Sequence, residues 1–111
     1  MNVIVITGNL GQDPEVKQNN GKPFARFSVA VERDYKDSSG VKPVDWFHCD
    51  VHYDKTINYL TEYVKKGDKV EVSGSMRSNK NANTGVTYWG LRVDKVNKIG
   101  NAKEGGSVDR F

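Results

Sequence analysis

The chain has 111 residues, 36% of them hydrophobic and 28% charged, with a net charge of +3 and one cysteine. That length suits one domain with one core. No apolar run reaches membrane-spanning length, the opening MNVIVITGNL lacks the basic segment and cleavage site of a secretory leader, and a lone Cys49 cannot form an internal disulfide, which fits a reducing cytoplasm. The basic balance leans toward polyanionic partners, although a solvated lysine surface would give the same count.

In chain order, Val3 to Thr7 is a β-branched run closed by Gly8-Asn9 and reads as a strand. Gly11, Asp13-Pro14 and Asn19-Asn20-Gly21 mark the next segment as turns. Phe24 to Arg33 alternates, with Ala25, Phe27, Val29 and Val31 on one face and Arg26, Ser28 and Glu32 on the other. After the loop Asp37-Ser38-Ser39-Gly40, Val44 to Tyr53 is a third strand. Ile57, Leu60 and Val64 then follow helical spacing, with Asp54 or Thr56 as a candidate cap, Lys65-Lys66 in the last turn and Gly67 as the stop. Val70 to Arg77 is a fourth strand, SNKNANTG (78–85) a polar hairpin loop, and Val86 to about Ile99 a long fifth strand. The change of parity between Val93 and Val96 predicts a bulge in it. Residues 100–111 have little to bury and read as a flexible tail after a domain spanning 1–99.

Three strands, a helix and two strands predict an all-β protein of OB type: a five-stranded Greek-key barrel with one helix between strands 3 and 4. The exposed sheet face of such a barrel binds oligonucleotides or oligosaccharides. Other small β-barrels use the same elements.

DWFHCDVHYD (45–54) crowds reactive residue types together. At strand period, Phe47, Cys49 and Val51 fall on one face and suit a core. Trp46, His48, Asp50 and His52 fall on the other. Cys49 therefore points away from both histidines and reads as a small buried residue rather than a nucleophile. His48 and His52 are two steps of roughly 6.6 Å apart, too far to share one zinc at about 2.0–2.1 Å. No catalytic residue, metal site or cofactor is expected.

The aromatic and basic residues form the stronger pattern. Trp46 lies on the polar face of the third strand, and Tyr35 sits in the preceding loop. Tyr88 and Trp89 open the fifth strand, after a hairpin bearing Arg77 and Lys80. Arg26 faces outward on the second strand, and Lys55 follows the third. Single-stranded nucleic acid needs this mixture, with bases stacked on aromatic faces and phosphates met by cations. Core packing competes for these rings: Trp89 shares parity with Leu91 and Val93, which would leave Tyr88 as the outward residue. A protein-interaction barrel and a hydrolytic or metal-dependent enzyme are the alternatives from other functional classes.

Five blocks, GNLGQDPEV, FSVAVER, DWFHCDVHYDK, YVKKGDKVEVSGSMR and YWGLRVDKV, resemble in order those of the bacterial single-stranded DNA-binding protein (SSB) family, over about residues 1–99. The resemblance implies a non-enzymatic OB-fold, assembled as a homotetramer, that coats single-stranded DNA in replication, recombination and repair. By position, Tyr35 matches a stacking aromatic that is normally tryptophan, Trp46 matches another, and His52 falls where the family has Phe or Trp. One inserted residue would give that place to Tyr53. Asn81 stands near the place of a further stacking tryptophan, Arg77 and Lys80 match basic positions, and Phe47 matches a residue near a subunit interface. The tail NAKEGGSVDRF has two acidic and two basic residues and no proline. It departs from the family's acidic, partner-docking tip, of which only Asp109 and Phe111 are echoes. The chain thus reads as a short variant in which docking of replication or repair proteins through this end loses its usual basis.

Overall fold

The β-branched opening run forms β1 (Ile4–Leu10), longer than its apolar core because Gly8 and Asn9 continue the ladder. The computed structural model describes residues 1–102. The other elements are β2 (Glu15–Asn19), β3 (Lys22–Glu32), β4 (Val44–Val51), α1 (Asp54–Tyr63), β5 (Lys69–Lys80) and β6 (Thr87–Gly100). β1 pairs antiparallel with β5, β5 with β6 and β4 with β3, while β6 and β4 run parallel. β3 closes the circle on β1 through Asn9 opposite Ala30 and Leu10 opposite Val29. Five strands thus form the expected OB barrel, with α1 between its third and fourth.

Closure requires backbones to pass closely. At Gly8, any Cβ would collide with the Ala30 carbonyl as β1 crosses from β5 to β3. The inward parity of each strand fills the barrel: Ala25, Phe27 and Val29 from β3, Cys49 and Val51 from β4, Val70 and Val72 from β5, and Leu91 and Val93 from β6 are all buried, with Leu60 of α1 covering one end. The bulge expected in the last strand is present. Ser73 faces Lys95 and Gly74 faces Val93, so Asp94 is the extra residue, and Val96 returns to the core.

Five expectations change. The segment read as turns contains β2, a sixth strand hydrogen-bonded only to β3. All five of its residues are exposed, so backbone pairing makes it and no apolar alternation announces it. β4 ends at Val51, before His52 and Tyr53. The helix ends at Tyr63, because Val64 turns extended and buries its side chain, so Lys65 and Lys66 lie beyond the last turn. Tyr53 holds the N-cap position without a side-chain bond, and neither Asp54 nor Thr56 caps the start. Finally, β5 and β6 extend into the sequence read as a loop: Ser78, Asn79 and Lys80 pair with Trp89, Tyr88 and Thr87 in a two-stranded arm. Of the expected tail, residues 103–111, including Asp109 and Phe111, lie outside the described residues.

Candidate nucleic-acid interface

The outward parity of β3, β4 and β6 makes one continuous face. Along β4 it shows Trp46, His48 and Asp50; opposite them on β3 stand Ala30, Ser28 and Arg26. Beyond Asp50, β6 contributes Arg92. An open groove of about 550 Å³ runs between this face and the root of the β5–β6 arm, with Arg26, His48, Asp50, Arg77, Tyr88, Trp89 and Arg92 among its lining residues.

Trp46 marks one end. It is 56% exposed although it sits in mid-strand, and the edge of its ring lies over Gly11, where a Cβ on residue 11 would come within 2.5 Å of it. The missing side chain at Gly11 is therefore what leaves room for the indole there. Tyr35 belongs to the adjacent loop and is exposed. Its hydroxyl accepts a hydrogen bond from Arg33 Nη1 at 2.7 Å, while Arg33 grips Asp45 through two bonds of 3.0 and 2.8 Å. That fork holds the Asp45 carboxyl below the usual carboxylate range. Arg33 is thus committed to shaping the loop. Asp37 turns the same loop by accepting from the backbone N–H groups of Ser39 and Val41.

Tyr88 and Trp89 are both exposed, Trp89 at 62%. Trp89 keeps the inward parity of Leu91, but the arm projects past the barrel and its ring stays largely open. Parity predicts burial only where a core exists behind the strand. Core packing, the use that competes for Trp89 by parity, therefore does not claim it, and both rings stay open.

At the other end, His52 stacks on Phe24 with centroids 5.5 Å apart and planes 15° from parallel, and the Arg26 guanidinium lies over the same Phe24 ring at 5.5 Å. Partial burial and the Arg92 charge hold the His52 pKa below its ordinary value, against the opposing pull of Asp50. Tyr53 is turned elsewhere: it is exposed in a shallow depression with Asp54, Lys55 and Asp94 beside the helix start. Lys80 is exposed on the arm and Arg77 lines the groove. The groove therefore gathers Arg26, Arg77, Tyr88 and Trp89, with Trp46 and Tyr35 at one margin and His52 at the other, and leaves Tyr53 and Lys55 outside it. Sequence reasoning missed Phe24 and Arg92. Outward parity on the fifth strand marks Arg92; Phe24, between a proline and the core residue Ala25, carries no such signal.

Catalytic chemistry has no foothold at Cys49, whose thiol is buried and pushed up to about 12, chiefly by desolvation. His48, Asp50 and His52 do not converge: Asp50 bonds Arg26 and His52 stacks on Phe24. Among the described residues, no three His, Cys, Asp or Glu side chains gather as a metal site, and no helix is long and apolar enough to cross a membrane.

Residues 1–97 match the family model described as "Single-strand binding protein family". Over 108 residues the chain is 34% identical to a single-stranded DNA-binding protein of Fusobacterium nucleatum, covering 93% of this chain and 69% of that protein. It is 34% identical to single-stranded DNA-binding protein 1 of a Nostoc species over 116 residues, covering 98% and 93%. A crystal structure of a mitochondrial single-stranded DNA binding protein from S. cerevisiae superposes with a TM-score of 0.76 at 25% identity, covering 92% of this chain and 97% of that one. A Plasmodium falciparum SSB, solved in complex with ssDNA, shares the fold with a TM-score of 0.74 at 24% identity, over 90% and 94%.

Proposed function

The chain belongs to the single-strand binding protein family, and from that premise we propose that it binds and protects single-stranded DNA without strict sequence preference, as a non-enzymatic coat in replication, recombination and repair. The observation that carries this reading is the groove itself, in which exposed aromatic faces and arginines share one wall of an otherwise fully packed barrel. Bases stack on Trp46, Tyr88, Trp89 and Tyr35, and on the His52–Phe24 platform, each worth about 1–3 kcal/mol. Arg26, Arg77, Arg92 and Lys80 meet the phosphates. Tyr53 and Lys55 flank this path past the end of β4. Sequence tolerance follows because every base offers a stacking face.

In this reading residues 1–99 are the DNA-binding domain, 100–111 are its tail, and the working unit is a homotetramer in the cytoplasm. Val3, just before β1, and Val5, on β1 itself, are exposed and supply apolar surface that such an assembly would cover. Titration with oligo-dT is expected to quench tryptophan fluorescence, and log affinity is expected to fall with log salt by about 0.7 for each phosphate contact. Unchanged fluorescence together with salt-independent binding would sink the proposal. Mass measurement in solution, with and without a long dT oligomer, tests the tetramer.

A further inference from the structure

Asp50 stands in the groove between two arginines. It is paired across the strands with Arg26 of β3 and with Arg92 of β6. Its carboxylate accepts a bond from Arg26 Nε at 2.9 Å. It is the only carboxylate among the described residues lining the groove, which otherwise offers Arg26, Arg77 and Arg92. Arg92 makes no ion pair among the described residues.

Two roles of opposite sign are open to such a carboxylate. It could hold Arg26 in place for a ligand, or it could occupy the guanidinium that the ligand needs. Arg26 also lies against the Phe24 ring, so Asp50 is not its only anchor. A phosphate approaching this pair must either displace the carboxylate or accept a like charge beside it. A base stacking on Trp46, Tyr88 or Trp89 meets no such competitor, because stacking on a ring does not require the guanidinium that Asp50 holds.

We propose that Asp50 is an internal competitor for the phosphate backbone, which lowers the affinity of the groove for anions and so biases it toward chains that bring bases to stack. The proposal rests on the reading of the groove as a single-stranded DNA site. It makes Asp50 a specificity-determining residue: removing its charge strengthens binding to a bare polyanion most.

The test compares the full chain with Asp50→Asn, Arg26→Gln and the double variant, each titrated with oligo-dT and with an inorganic polyphosphate of matched charge. Asp50→Asn is expected to bind oligo-dT about threefold more tightly at low salt, as expected for releasing one exposed ion pair. It should gain more than that on polyphosphate, and its salt slope should steepen by about 0.7, one added phosphate contact. Arg26→Gln should cost more affinity in the Asp50→Asn background than alone, since only there is the guanidinium unmasked. Asp50→Ser, which removes the charge with a different side chain, should change affinity in the same direction. Equal or weaker polyphosphate binding by both charge-removing variants, with unchanged melting temperatures, overturns the proposal. Failure of the unaltered chain to bind oligo-dT would instead sink the functional reading, and the polyphosphate titrations would still decide whether Asp50 competes.

Discussion

Cys49 and Asp50 are neighbours in the chain, yet one is fully buried against Phe27 and Leu91 and the other faces an arginine-lined groove. The same contrast repeats along β4, with Phe47 and Val51 turned inward and Trp46 and His48 turned out. A strand offers two faces at no extra length, and this barrel uses one to fold and the other to bind. Binding therefore has little to do with the residues that make the protein stable, and stability should depend little on the residues that bind.

The largest expected effect comes from attacking the inward face. Phe27→Ala empties the largest fully buried site and should cost about 3–5 kcal/mol of stability, read from a denaturant midpoint. Whatever fraction remains folded should still bind oligo-dT at near-normal affinity. Trp46→Ala makes the complementary cut: binding weakens by about 1–3 kcal/mol while the melting temperature stays within a degree or two, as expected for an exposed site. A drop in melting temperature with unaltered affinity would reverse the assignment of the two faces. Gly11→Ala should weaken oligo-dT binding by a smaller amount, since the new methyl group pushes the Trp46 ring off the barrel without removing it. The smallest effect is one of pH. The folded His52 pKa lies below its ordinary 6.5, so the unfolded chain takes up this proton first. The neutral-His52 contribution is complete above about 6.5, and it is lost as pH falls from there through the lower folded value. His52→Phe, which can still stack on Phe24, should flatten that part of the stability-versus-pH curve.

What could be read from the sequence divides along the same line. Apart from Trp89 on the arm, the inward residues named from β3, β4 and the last strand are at least partly buried, and even the bulge at Asp94 follows from the parity break between Val93 and Val96. Burial leaves a periodic trace that a single sequence preserves. The outward features leave less. β2 is five exposed residues held by backbone bonds to β3, the arm beyond Arg77 looks polar and loop-like, and the row Arg26–Asp50–Arg92 appears only when three distant strands are laid side by side. The rivalry between His52 and Tyr53 was also a question of where β4 stops. Once it stops at Val51, His52 folds onto Phe24 and Tyr53 turns toward the helix start.

The central claim is that the outward face of β4 and the root of the arm bind the same strand of DNA. The chain contains two tryptophans, Trp46 on one of these surfaces and Trp89 on the other, so their two indole N–H signals in a ¹H–¹⁵N spectrum report on both at once. Adding oligo-dT should shift both signals together, along a single saturation curve that weakens with salt. Saturable binding that leaves either indole signal in place would show that the groove is not the path of the strand.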